Sequence, residues 1–159
     1  MILEFVITYS LGIDLIENKT LGLVYNLLNF LFLPIILIVI ALNNFKKNVN
    51  NGFMSFAQGL KAGVTVTVIA GLIYAIFNII FNLIFPEFAI EVMSKTKQVM
   101  IEANPNLTQE QLDMSIAMAE KFSSPFITAP VTVAMYAFIG LIYSLIISAI
   151  LKNDQPQGY

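Results

Sequence analysis

Three stretches of this chain run without a single charged residue for at least the thickness of a lipid bilayer: Thr20 to Leu42, Ala62 to Phe85 and Pro125 to Leu151. A helix over the first rises about 33 Å, against a hydrocarbon core of about 30 Å. Backbone placed in lipid must satisfy its own hydrogen bonds, so each stretch is expected to cross the membrane as a helix. The composition agrees. With 58% hydrophobic residues, 11% charged residues and a mean hydropathy of +0.82, the 159-residue chain carries too little polar surface to cover a soluble core. The expected fold class is all-α, an integral membrane bundle.

Local signals place the helix ends, giving spans of about 20–42, 56–85 and 125–151. Pro34 falls inside the first and predicts a kink, tolerated in lipid where neighbouring helices re-satisfy the freed carbonyl. Asn43 to Gly52 reads as a polar connection ending in the turn pair Asn51-Gly52. Ser55 with Gln58 three residues on has the form of a capping box, and Pro125 suits the first turn of the last span. Between the last two spans, residues 87–122 are expected to form an amphipathic helical hairpin divided at Asn104-Pro105-Asn106. Its first arm sets Phe88, Ala89, Val92, Met93, Val99 and Met100 at helical spacing; the second sets Leu112, Ile116, Ala119 and Phe122 along one side, after a capping-box pair Thr108 and Gln111. Residues 1–16 are apolar apart from Glu4 until Asp14, yet too short to span, so they read as a partial first helix, the second half of a longer one, or a re-entrant segment. Residues 1–152 then make one membrane domain of four helices, the first short or clipped, and 153–159 a disordered tail.

Lys46, Lys47 and Lys61 cluster at one end of the bundle with Lys152, which by the positive-inside rule makes that end and both termini cytoplasmic and puts residues 87–122 outside. Lysine without arginine, with abundant Ile, Asn and Phe, points to an AT-rich bacterial genome, hence an inner (plasma) membrane.

Gly59, Gly63, Thr67, Gly71 and Ala75 recur at every fourth position, and Gly140, Ser144 and Ser148 form a similar strip on the last helix. In lipid, helix association lacks a hydrophobic drive and depends on close backbone approach, which such strips permit. They mark packing within the bundle or self-association of two chains. Asn26, Asn29, Asn78 and Asn82 fall at similar depth in adjacent antiparallel spans, and with Tyr25, Thr128 and Thr132 form a candidate polar cluster. It reads either as interhelical hydrogen bonding or as the lining of a ligand or ion path. Lys61 beside Ser55 evokes a Ser-Lys pair, but a lysine so near a helix end is explained by snorkelling to the headgroups.

The run Gly52-Phe53-Met54-Ser55-Phe56-Ala57-Gln58-Gly59-Leu60-Lys61-Ala62-Gly63, followed by a long span closing on Phe85-Pro86-Glu87-Phe88, resembles domain-of-unknown-function family 4199. The resemblance implies four membrane helices, a Ser-Phe-x-x-Gly-x-Lys-x-Gly start to the third and a helical loop before the fourth. It brings no activity, substrate or catalytic residue. The short first helix departs from the pattern and supports a clipped start.

Without Cys or His, the chain has no means for disulfides, thiolate chemistry, imidazole acid-base catalysis or the usual zinc sites. No catalytic set, metal site or cofactor is expected. The eight lysines are scattered and the net charge is −2, so nucleic acid is not an expected partner. The expected role is a non-enzymatic scaffold or accessory protein whose partners are membrane lipid and another membrane protein or a second copy. The alternative is a small oligomeric carrier or channel using the asparagines.

Overall fold

The computed structural model describes residues 1–106 and 108–155, and is all-helical apart from connections and one isolated bridge. Six helices follow in order: α1 (Ile2–Ser10), α2 (Lys19–Val49), α3 (Phe56–Ile84), α4 (Pro86–Ala103), α5 (Gln109–Phe122) and α6 (Pro125–Leu151). Helices α2, α3 and α6 are long and apolar enough to cross a membrane. Residues 156–159, most of the expected disordered tail, lie outside the described residues.

The antiparallel pair α3 and α6 is the centre of the molecule, and its register follows from the two small-residue strips. Gly59 faces Ser148, Gly63 faces Ser144, Gly140 faces Thr67 and Gly71 faces Tyr136, a step of four on each helix at every contact. A Cβ on Gly140 would lie 2.7 Å from Thr67 Cβ, and one on Gly63 would lie 2.9 Å from Ser144 Cβ. Thr67, Ser144 and Ser148 are fully buried as a result. Thr67 Oγ1 donates back to its own helix, at 2.9 Å to Val64 O. The Ser144 and Ser148 hydroxyls find no such partner among the described residues and face Gly63 and Gly59.

Helix α2 leans on this pair near one end of the bundle, where Ile38 and Leu42 meet Met54 and Ile147 in a buried cluster. It runs further than its polar C-terminal residues suggest. The Asn43–Gly52 stretch, expected as a connection, stays helical to Val49 through a wider π turn over Phe45–Val49, with Asn50 N–H donating to Phe45 O. The reversal is confined to Asn51 and Gly52, at φ 51° and 86°. A short clasp then closes this end. Met54 and Asn153 exchange backbone bonds of 2.8 and 2.9 Å, Asn153 Nδ2 donates to Gly52 O, and the Lys46 ammonium donates to the terminal Leu151 carbonyl of α6.

Pro34 sits two residues after a second π turn, Leu28–Phe32. Lacking an N–H, it leaves the carbonyl four residues back, that of Phe30, without its ordinary helical partner. The Tyr143 hydroxyl on α6 donates to that oxygen at 3.1 Å. The π turn and the tyrosine together accommodate a proline that is fully buried.

At the opposite end, α1 is shorter than the expected 1–16 segment because Gly12, at φ 63°, turns the chain out of the helix. The α4–α5 pair occupies the region of the expected hairpin. α5 begins on the Thr108 and Gln111 box as the sequence indicates, α4 begins on Pro86, and Lys97 to Glu120 at 2.6 Å ties them together. Leu112, Ile116 and Ala119 turn partly inward, whereas Phe122, expected on the same side, is exposed.

Gly140→Ala is expected to lower unfolding stability in detergent by about 1–3 kcal/mol, because overpacking outweighs the gain in helix propensity. Adding Thr67→Gly to that variant should recover much of the loss, since it removes the opposing Cβ. Tyr143→Phe should cost about 0.6–1.7 kcal/mol, the range for one membrane hydrogen bond. A double-mutant cycle with Pro34→Ala, which returns an N–H to α2, should show most of that cost gone.

Candidate functional site

The residues expected to make a polar cluster are distributed rather than gathered. Asn26 Nδ2 donates to Gly22 O, Asn29 Nδ2 to Tyr25 O and Asn82 Nδ2 to Asn78 O, each four residues back on its own helix at 2.8–2.9 Å. Asn82 also reaches Asn78 Oδ1 at 3.1 Å, still within α3. An amide in lipid takes the nearest free acceptor, which is its own preceding turn. Thr128 Oγ1 likewise donates to Pro125 O. Asn29 is buried, Asn26 exposed, and Thr132 half-buried on α6. Among the described residues the asparagine and threonine side chains of this set make no hydrogen bond from one helix to another, whereas Tyr25 on α2 bonds to Tyr74 on α3. Nor do Ser55 and Lys61 form a pair. The Ser55 hydroxyl accepts from Gln58 N–H in its capping box, and Lys61 is exposed.

What the tertiary structure does gather lies at the end of the bundle where α1, α3 and α4 meet. Phe5 and Tyr9 project from one side of α1 into rings from α3 and α4. Phe5 packs edge-on to Phe77, Phe81 and Phe88 at centroid distances of 5.7, 4.8 and 5.5 Å, and Tyr9 edge-on to Phe81 at 5.1 Å and Phe88 at 5.4 Å. Such edge-to-face arrangements suit the ring quadrupoles. Deeper in, the Met1 amino group pairs with Glu4 at 2.9 Å, close to Tyr25, Tyr74 and Tyr136.

Above the aromatic rings the 11–18 loop folds back over α2. Asp14 Oδ1 accepts from the backbone N–H groups of Ile16 and Glu17, shaping the turn. The loop lies so close to α2 that a Cβ on Gly22 would come within 2.6 Å of Leu15 O. The other Asp14 oxygen is bound by the Lys95 ammonium, which also holds Glu91 at 2.8 Å one turn earlier on α4. Between loop, α1 and α4 is a cleft of about 300 Å³, with Phe5, Tyr9, Ile13, Phe88 and Val92 as walls and Asp14, Glu91 and Lys95 at the mouth.

The family described as "Protein of unknown function (DUF4199)" matches residues 1–153. This chain is a DUF4199 protein. No curated protein and no solved structure matches it. The DUF4199 match covers both ends of the Asp14–Lys95 tie as well as the α3–α6 strips, so the cleft belongs to the family domain itself.

Part of this site was readable in the DUF4199 sequence. Glu91 and Lys95 are four apart on a helix, the spacing of a favourable ion pair. Asp14 lies 81 residues from Lys95, and no periodicity connects them. Glu4 is the one charge in the apolar start of the chain, but the tyrosines near it come from three different helices.

Lys95, through its hydrogen bond, and the Glu17 N–H hold the Asp14 carboxyl below its ordinary value of 3.8; burial opposes them, and the Ile16 N–H adds to the lowering. Lys95 is raised above 10.5 by hydrogen bonds to Asp14 and then Glu91. A depressed acid contributes stability above its unfolded value and loses it as pH falls through its folded value. A raised base contributes below its unfolded value and loses that only as pH rises through its folded one. The tie is therefore intact across the neutral range. Amide protection factors in the 11–18 loop are expected to stay flat from roughly pH 5 to 9 and to fall once pH drops below the ordinary carboxylate range. In Lys95→Met they should be low throughout.

Proposed function

We propose that this protein is a non-enzymatic, multi-pass scaffold or accessory protein of a bacterial inner membrane, working through the helical hairpin α4–α5 laid on the outer surface of the bilayer. In this reading α1 is the partial fourth member of the bundle, and the end that bears Lys46, Lys47, Lys61 and Lys152, with the C-terminus, is cytoplasmic. The observation that carries the proposal is an apolar stripe on α5. Met114, Met118 and Phe122 follow one another at every fourth position, 64%, 56% and 56% exposed, and lead to Phe126 on α6 at 74%. An exposed apolar row that runs directly into the surface of a membrane-crossing helix is best covered by the lipid that covers that helix. The hairpin is amphipathic in the sense this needs, with Lys97, Gln98, Glu102, Glu110 and Asp113 offered to water. Thioethers and one ring in the stripe give it adaptable contact with disordered chains or with a neighbouring membrane protein.

The cysteine-free sequence allows single labels to be introduced without background. A nitroxide on Met118→Cys in reconstituted vesicles is expected to be relaxed by oxygen, which concentrates in lipid, and shielded from a water-soluble paramagnetic complex. Gln98→Cys should show the reverse, and should react with an impermeant thiol reagent applied outside intact cells. A Met118 label open to the aqueous relaxant would remove the lipid-surface reading, and Gln98 labelling only after lysis would invert the orientation.

A further inference from the structure

The charges at the mouth of the α1–α4 cleft alternate. The Lys95 ammonium stands between the carboxylates of Asp14, on the loop, and Glu91, one turn earlier on its own helix, so the mouth reads minus, plus, minus. Beneath it Phe5, Tyr9, Ile13 and Phe88 line a pocket of about 300 Å³. Neither half explains the other: an ion-pair tie needs no pocket under it, and an aromatic contact needs no charged rim. Asp14 precedes the start of α2 at Lys19 by a short loop, and the α4 wall begins just beyond the end of α3 at Ile84. The charged mouth therefore stands at headgroup depth and the aromatic floor at acyl depth, the setting in which tyrosine is favoured.

We infer that this cleft binds a phospholipid whose headgroup carries a primary ammonium next to its phosphate, with part of one acyl chain entering between the rings. The headgroup exchanges partners with the mouth without leaving a charge unpaired. Lys95 gives up both carboxylates and takes the phosphate, while Asp14 and Glu91 take the ammonium in its place. A primary ammonium brings three N–H donors for those carboxylates; a trimethylated one brings none. A phosphate with a neutral alcohol headgroup would leave two carboxylates facing an anion, which selects against it. The site is separate from the α5 stripe, so a chain bearing Met118→Glu is expected to keep it even if surface attachment is lost.

The test uses the full chain reconstituted in vesicles holding equal parts ethanolamine, choline and glycerol phospholipids with matched acyl chains. After extraction in mild detergent, the retained lipids are counted by mass spectrometry. The ethanolamine lipid is expected to be enriched about tenfold over the choline lipid, the worth of roughly one charge-assisted hydrogen bond. Glu91→Gln should reduce the enrichment, Asp14→Asn with Glu91→Gln should abolish it, and Val92→Trp, which fills the cleft and leaves every charge in place, should abolish retention. Glu91 is an exposed helix-surface residue, so its variant reads the charge requirement even if Asp14→Asn disturbs the loop, and helicity by circular dichroism verifies each chain. Equal retention of the three lipids, a preference for choline or glycerol headgroups, or an enrichment that survives Val92→Trp would overturn the assignment.

Discussion

Lipid chains are as apolar as leucine, so two helices in a bilayer gain nothing from hiding apolar side chains from each other. What holds α3 and α6 together is the distance to which their backbones can approach. Gly59, Gly63, Gly71 and Gly140 set that distance, because at each of them a single Cβ would already meet the opposite helix. Everything else in the molecule is built around this pair. The register of α6 against α3 brings Tyr143 to the height of Phe30, and Asn153 to Met54. Were the pair to slide by a turn, the proline in α2 would lose the hydroxyl that covers its freed carbonyl, and the clasp would not close.

The two ends of the bundle are held in different ways. The end with the clasp is fastened by backbone hydrogen bonds, a lysine on a helix C-terminus and a small buried aliphatic cluster. The other end is fastened by rings and charges. There α1 touches its neighbours through Phe5 and Tyr9, and the 11–18 loop is pinned by Asp14 and Lys95. Ring stacking and a partly exposed ion pair tolerate exchange with a ligand far better than a close-packed glycine seam does. That contrast is the physical reason for locating interaction at the α1–α4 end and stability along α3 and α6.

Much of the frame was legible in the amino-acid order because membrane helices are governed by local rules. Charge-free runs set the spans, Ser55 with Gln58 and Thr108 with Gln111 set two helix starts, and Pro125 set a third. The small-residue strips announced which faces could approach closely. The boundaries that misled were those where polar residues stayed helical. Asn43 to Val49 remain in α2 because a π turn and side-chain bonds, such as Asn43 Nδ2 to Val39 O, accommodate them. The asparagine cluster misled for the same reason, since each amide found an acceptor one turn away on its own helix.

By itself, then, the sequence determined a DUF4199 chain with three helices long and apolar enough to cross a membrane and a polar segment between the last two. These features depend on hydropathy, capping and spacing, which act over a few residues. Only the tertiary structure decided that Glu4 lies near three tyrosines, that Tyr143 serves Pro34 and that Asp14 crosses 81 residues to Lys95 above an aromatic pocket. Those contacts join groups whose separation in the chain carries no periodic signal. The first two follow from the register that the glycine seam fixes between α3 and α6, and the third from where the 11–18 loop meets α4.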